Sequence, residues 1–344
     1  MTDAPRRLNT RLIGLVSAAA STLLLSASTT SAAPTVPLLK PSVVFTQHTG
    51  SVNGVALAPD GRTAATASSD RTIRFWDTMS GAATAIIRHT DPLTALAFSP
   101  DGGTLAVADR SPAIILFDVA SRKQLVRLPK PDGPVQWMAF GPDGRTLATI
   151  SSHAAEAVLW DVAAGAKRLT LKHRNSYVTS LAFTQDGKRA TTAGTDEVVR
   201  FWDLGDGSQS AVGKGHNQAV HYVAFAPDGK TAVTAGEDKT VKVWDAITGK
   251  CLNTWEGHGG PVRWVAYARD GRSVVSLGLN DAQVTVWDAA NEKPRGAFRW
   301  FRGAVSVPNY NSNIALSADG RKLLIGRSGE AALFDLADWL PAGE

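Results

Sequence analysis

Seven histidines are the residues in this chain best suited to chemistry near neutral pH, and five of them, His48, His89, His173, His216 and His258, are followed by Ser, Thr and Asp residues. Histidine, hydroxyl and carboxylate are the parts of a nucleophile–base–acid triad, so hydrolysis is the first activity to weigh. A triad is recognised by convergent geometry beside an oxyanion site, and an active site has no reason to recur at a fixed interval. Other chemistries find less support. There is no His-Glu-x-x-His, no Gly-x-Ser-x-Gly, no phosphate loop and no dinucleotide fingerprint. The Asp-Gly turns lack the alternating acidic ligands of a calcium loop. The single cysteine, Cys251, excludes an intrachain disulfide and a cysteine-based metal site, and it sits in an alternating apolar stretch that suits a small buried residue. No cofactor is expected.

The elements that must position these residues repeat. An aromatic followed by aspartate stands at Trp76-Asp77, Phe117-Asp118, Trp160-Asp161, Trp202-Asp203, Trp244-Asp245, Trp287-Asp288 and Phe334-Asp335, spaced by 41, 43, 42, 42, 43 and 47 residues. An Asp-Gly pair precedes each: Asp60-Gly61, Asp101-Gly102, Asp143-Gly144, Asp186-Gly187, Asp228-Gly229, Asp270-Gly271 and Asp319-Gly320. The glycine always lies 14 to 16 residues before the aromatic. Between these landmarks run β-branched or alternating stretches such as 52–58, 63–67 and 72–76. Asp-Gly between two such stretches predicts a hairpin, because glycine accepts positive φ without a Cβ clash. Each unit is therefore expected to be an antiparallel meander, and the fold all-β.

A period of 40 to 45 residues ending in Trp-Asp resembles the WD-repeat family across about residues 42–337. Five histidines at the family's remaining landmark, with Gly215 and Gly257 before His216 and His258, make the resemblance specific. It implies a seven-bladed β-propeller of four-stranded antiparallel blades. After Phe334-Asp335 only residues 336–344 remain, whereas 42–47 is a spare strand leading into His48, so the N-terminal strand is expected to complete the last blade and close the ring. The resemblance also assigns structural hydrogen-bonded sets: His48, Thr66, Asp70 and Trp76 in blade 1, and His173, Thr192, Asp196 and Trp202 in blade 4. Blade 5 offers His216, Thr234, Asp238 and Trp244, and blade 6 offers His258, Ser276, Asp281 and Trp287. Recurrence in four blades marks these as structure, not catalysis. Blades 2, 3 and 7 depart, with Ser111 and Phe117, with Ala154, and with Ser328 and Phe334, and His89 is expected to lack its partner.

Residues 1–32 read as a signal peptide: Arg6, Arg7 and Arg11 precede a run from Leu12 to Ala27, too short and too diluted to span a bilayer, with small residues Ser31-Ala32-Ala33 at the cut. Residues 33–41 form a linker, and 42–344 the propeller. An exported chain, periplasmic or secreted, with no membrane span after cleavage is expected, an uncleaved N-terminal anchor being the alternative. The net charge of +5 falls to +3 without residues 1–32, and its cations are scattered among acids, which excludes a nucleic-acid face.

Propellers bind at the narrow mouth of the central channel. The variable positions there are Asn53 and Gly54, Thr94 and Ala95, Gln136 and Trp137, Thr179 and Ser180, His221 and Tyr222, Arg263 and Trp264, and Ser312 and Asn313. Ser69, Arg110, His153, Thr195, Glu237, Asn280 and Arg327 add the rim. Trp137, His221, Tyr222, Arg263 and Trp264 have the aromatic and arginine character of interface hot spots. The expected function is a monomeric, non-catalytic platform for a protein or peptide. The alternatives are a hydrolase or lyase using His221, His153 or Glu237 at the channel mouth, and a glycan or small-molecule binder stacking on Trp137 and Trp264. Trp137 and Trp264 could equally fill the core between blades.

Overall fold

The computed structural model describes residues 36–340 except 111–112, 130–132, 175, 279 and 302–312. The signal-peptide segment 1–32, the linker residues 33–35, and Ser111 and Ser312 lie outside these. Residues Val36–Glu344 form one compact unit.

Seven antiparallel four-stranded sheets follow one another as blades of a propeller. Blade 1 consists of Val52–Leu57, Thr63–Ser68, Thr72–Asp77 and Ala83–Arg88, each strand paired with the next. The same meander recurs from Leu93–Phe98, Val135–Phe140, Val178–Phe183, Val220–Phe225 and Val262–Tyr267, the inner strands of blades 2 to 6. Blade 7 draws Ile314–Leu316, Lys322–Arg327 and Glu330–Asp335 from the end of the chain and Val43–Phe45 from its beginning. Val43 pairs with Leu333, Val44 with Ala332 and Phe45 with Ala331, so the N-terminal strand supplies the fourth strand of the last blade. No α-helix occurs among the described residues, and no helix there is long and apolar enough to cross a membrane. Within the segment expected as linker, Leu38 bridges Arg299 on the outer strand of blade 6, with hydrogen bonds from Leu39 N to Arg299 O (2.9 Å) and from Arg299 N to Pro37 O (2.6 Å).

The repeat signature has local causes. Gly61 takes φ +64°, and the Asp60 carboxylate accepts from the Arg62 and Thr63 amides at 2.8 and 3.2 Å, closing the turn between the first two strands. The aspartate of Trp-Asp does the same in the turn between the last two strands: Asp77 Oδ1 accepts from Met79 N, Ser80 N and Ser80 Oγ at 3.1, 2.7 and 2.7 Å. Aspartate suits both places because its short side chain bonds the backbone two or three residues on.

The core sits in the seams between blades. Val233, Ala235 and Val241 of blade 5 pack with Val262, Val265, Val274 and Trp287 of blade 6. At the closing seam Phe45, with no accessible surface, stacks 5.0 Å from Trp76 beside Val52, Leu324 and Leu333. Each blade is thus a thin sheet that buries both faces only once its neighbours are present, as expected for a repeat architecture.

Candidate functional site

Six inner strands carry the same irregularity one residue after they begin. Pairing with the second strand slips between Val52 and Gly54, Leu93 and Ala95, Val135 and Trp137, Val178 and Ser180, Val220 and Tyr222, and Val262 and Trp264. The skipped residues are Asn53, Thr94, Gln136, Thr179, His221 and Arg263. A β-bulge inserts one unpaired residue and re-aims its side chain, so each blade from 1 to 6 places one polar group at the end of the ring where its inner strand starts. These groups reach across seams. Asn53 Nδ2 donates to Leu93 O at 2.8 Å, Thr179 Oγ1 to Val220 O at 2.6 Å, and Arg263 Nη1 to His221 Nδ1 at 3.2 Å.

His221, Glu237 and Arg263 form a charged cluster there. The arginine donation obliges His221 Nδ1 to be an acceptor, so Nε2 carries the proton and donates it to Glu237 Oε2. Burial first, and the Arg263 cation second, hold His221 below the ordinary histidine range despite the opposing carboxylate of Glu237. His221 is therefore a neutral relay at neutral pH, buried at 8% exposure, while the Glu237 side chain is 40% exposed. On the neighbouring part of the same face, the exposed Tyr177 ring meets exposed His153 edge-on at 5.3 Å.

The residue following each bulge points elsewhere. Trp137 and Trp264 are each 3% exposed and belong to the cores of different seams. Tyr222 contacts both cores and packs on Trp264 at 5.9 Å. Burial pushes the Tyr222 phenol up, opposed by the indoles of Trp137 and Trp264, although Trp264 Nε1 itself finds no acceptor of good geometry. Two cavities of about 660 and 270 Å³ share Tyr222, Ile314, Ala315 and Leu316 in their walls, inside the ring beyond the bulges. Of the five residues expected to meet a partner, the structure thus keeps His221 and Arg263 at the mouth. It sets Trp137, Tyr222 and Trp264 in or against the packed interior, where the bulge turns them away.

The repeat histidines form a second layer of polar structure. In blade 5 the Trp244 indole donates to Thr234 Oγ1 (2.8 Å), which donates to His216 Nε2 (2.7 Å), while His216 Nδ1 donates to Asp238 Oδ2 (2.8 Å). Blade 1 repeats this with Trp76, Thr66, His48 and Asp70 at 2.9, 2.6 and 2.8 Å. Blade 6 does so with Trp287, Ser276, His258 and Asp281 at 2.7, 2.7 and 3.3 Å. Burial raises the Asp238 carboxyl, but bonds from His216, Thr240 and the Asn217 amide outweigh it and hold the group well below its usual value. Thr66, Thr192, Thr234 and Ser276 have no accessible surface, so no substrate could reach these hydroxyls.

Blade 4 is wired differently from the expected set. Arg200 comes between His173 and Asp196: its Nη1 donates to His173 Nδ1 at 3.0 Å and its Nη2 to Asp196 Oδ2 at 2.5 Å. His173 must then carry its proton on Nε2 and donate to Thr192 at 2.7 Å, the reverse of blades 1, 5 and 6. Burial and the adjacent guanidinium lower it to about 4. Blade 3 keeps only Trp160 donating to Thr149 at 2.9 Å. In blade 2 the expectation of a partnerless histidine fails, since Asp109 Oδ2 stands 3.2 Å from His89 Nδ1. Arg200 and Asp109 both escaped sequence reasoning because neither occupies a landmark position. Cys251 is half-buried with Sγ 3.3 Å from Asn253 O, an ordinary strand residue.

A model of the family described as WD domain, G-beta repeat matches residues 39–77, 83–118, 165–203, 207–245 and 249–288. The unmatched stretches hold blades 3 and 7, the two without a repeat histidine. No curated protein matches the chain. With more than half of its length matched, and seven four-stranded sheets arranged as blades, the chain belongs to the WD domain, G-beta repeat family.

Proposed function

We propose that this chain is an exported, non-catalytic platform that binds a protein or peptide over the channel mouth of blades 3 to 6. A WD-repeat propeller is consistent with a protein-binding role. The observation that carries the location is the His221, Glu237 and Arg263 cluster: bulges deliver the histidine and the arginine to one end of the ring, and Glu237 remains open to solvent. Charged groups fixed by neighbours lose little entropy when a partner docks, which favours recognition over loose attraction. Tyr177 and His153 extend the surface with aromatic area. Both ring nitrogens of His221 are engaged, which disfavours its use as a general base in a hydrolase or lyase. A glycan platform would need indole faces open to solvent, and those of Trp137 and Trp264 are covered.

The test is affinity capture from the native extracytoplasmic fraction with the wild type, an Arg263→Ala/Glu237→Ala variant and a Met79→Ala/Ile247→Ala variant. Met79 and Ile247 are exposed apolar residues in turns at the opposite end of the blades. Capture lost only in the first variant supports the mouth. Equal retention in both variants, with folding intact, rejects it. Export rests on Arg6, Arg7, Arg11 and the run that follows. It predicts a mature N-terminus at Ala33 in the secreted or periplasmic fraction, and an intact Met1 in the cytoplasm would contradict it.

A further inference from the structure

We propose that His89, Asp91 and Asp109 of blade 2 form a binding site for one divalent transition-metal ion. The site arises from a misplaced aspartate. In blades 4, 5 and 6 the last residue of the second strand is Gly194, Gly236 or Gly278, and a Cβ there would come within 2.7, 2.5 and 2.7 Å of Nδ1 of His173, His216 and His258. The position therefore aims straight at the histidine. Blade 2 carries Asp109 in that place, at the end of Thr104–Asp109, and its carboxylate meets His89 with only 2% of the side chain exposed.

The contact differs from the histidine–aspartate bonds of the other blades. The Asp91 amide donates to His89 Nδ1 at 3.2 Å, so this nitrogen presents a lone pair. Asp109 Oδ2 stands 3.2 Å from the same nitrogen. That separation is close to the spacing of two neighbouring ligands on one tetrahedral ion, so a cation held beside both atoms would take them as two ligands. Asp91 brings a second carboxylate: one donor atom from each of His89, Asp91 and Asp109 lies within 4.8 Å of the others. Metal–ligand bonds of about 2.0–2.2 Å require these atoms to draw in by several tenths of an ångström, which Asp91, on a loop, can supply.

Access and donor type point the same way. The side chains of His48, His216 and His258 have no exposed surface, whereas His89 has 12%. Blade 2 also replaces the buried hydroxyl and the indole with Val107 and Phe117, so the histidine is not committed to the usual network. One imidazole nitrogen and two carboxylates suit zinc, cobalt, nickel or manganese better than calcium or magnesium, and three protein ligands leave coordination positions to water.

The test uses the full mature chain and Zn²⁺ in isothermal titration calorimetry, with Co²⁺ absorption as a second probe. One ion should bind per chain. His89→Ala and Asp91→Asn should each weaken binding by more than the roughly 10–100-fold that loss of an outer-shell partner costs. His153→Ala, which removes an exposed histidine of blade 3, should leave the affinity unchanged. Asp109→Asn should abolish binding with retained circular dichroism; because that carboxylate is buried, Asp91→Asn, on the loop, keeps the proposal falsifiable if Asp109→Asn does not fold. Absence of saturable binding, unchanged affinity in His89→Ala or Asp91→Asn, or loss of binding in His153→Ala would overturn the site.

Discussion

Replacing Thr234 with valine tests whether the repeat networks stabilise the ring in the way their geometry implies. Valine keeps the shape of the side chain and deletes one hydroxyl, which has no accessible surface and serves two partners: the Trp244 indole at 2.8 Å and His216 Nε2 at 2.7 Å. Neither partner can turn to water, since Trp244 is wholly buried and His216 is pinned to Asp238 at 2.8 Å. A buried group left without its bond costs about 1–3 kcal/mol, so two should cost about 2–6 kcal/mol. That is a large part of the roughly 5–15 kcal/mol by which domains are stable. Thr234→Ser, which restores the residue type that blade 6 carries at Ser276, should cost only about 1 kcal/mol for the lost methyl.

Urea unfolding followed by far-ultraviolet circular dichroism reads this as a fall in midpoint at constant slope. Blade 2 supplies the companion experiment, because it places Val107 and Phe117 where blade 5 has Thr234 and Trp244. Removing both members of a hydrogen bond is milder than removing one. The Thr234→Val/Trp244→Phe double variant should therefore cost less than the sum of the singles by about 0.5–3 kcal/mol. A Thr234→Val loss below about 0.5 kcal/mol, or strict additivity in the double variant, would refute the reasoning, since 0.5 kcal/mol is within the range of surface substitutions.

Acid should weaken the fold through His173, whose folded value of about 4 lies below the ordinary 6.5. The unfolded chain binds the proton first, so stability is complete above pH 6.5 and about 3 kcal/mol is lost as pH falls to 4; Arg200→Met should flatten that loss in urea titrations, and an unchanged slope would exclude the guanidinium as a cause. Phe45→Ala should cost about 3–5 kcal/mol by emptying the closing seam against Trp76; a loss under about 1 kcal/mol would show that the N-terminal strand does not hold the ring. Gly249→Ala should lower the thermal midpoint markedly, because φ is +72° and a Cβ would stand 2.5 Å from Val212 O; an unaffected midpoint would mean that this turn relaxes freely.

The ring was legible because its determinants are local and periodic. The Asp-Gly turns and the Trp-Asp pairs each act within a few residues, through hydrogen bonds such as Asp60 to Arg62 and Asp77 to Ser80. The channel mouth was legible only as pairs of neighbours, Gln136 with Trp137, His221 with Tyr222 and Arg263 with Trp264. Alternation along a strand has a period of two, and a bulge shifts it by one, so composition cannot say which member of each pair faces the mouth. The structure assigns the first member to the mouth and the second to the interior. Arg200 and Asp109 were hidden for another reason: each acts from a neighbouring strand on a histidine 27 or 20 positions earlier, and no spacing rule foretells that reach.

The histidines of this chain divide by what surrounds them rather than by where they fall in the repeat. His48, His216 and His258 give both nitrogens to a hydroxyl and an aspartate and have no exposed side-chain surface, so their role ends inside the blade. His173 keeps its landmark position, yet a single arginine reverses its tautomer and makes it sensitive to acid. His221 stands outside the landmark pattern and joins two blades at the mouth through Arg263. His89 has the landmark position without the hydroxyl, the indole or the full burial that would confine it. Repeat position fixes where each imidazole enters a blade, whereas its contacts decide whether it is left for function. By that criterion the partner and metal sites proposed for this propeller draw on His221 and His89, and His48, His173, His216 and His258 belong to the stability of its blades.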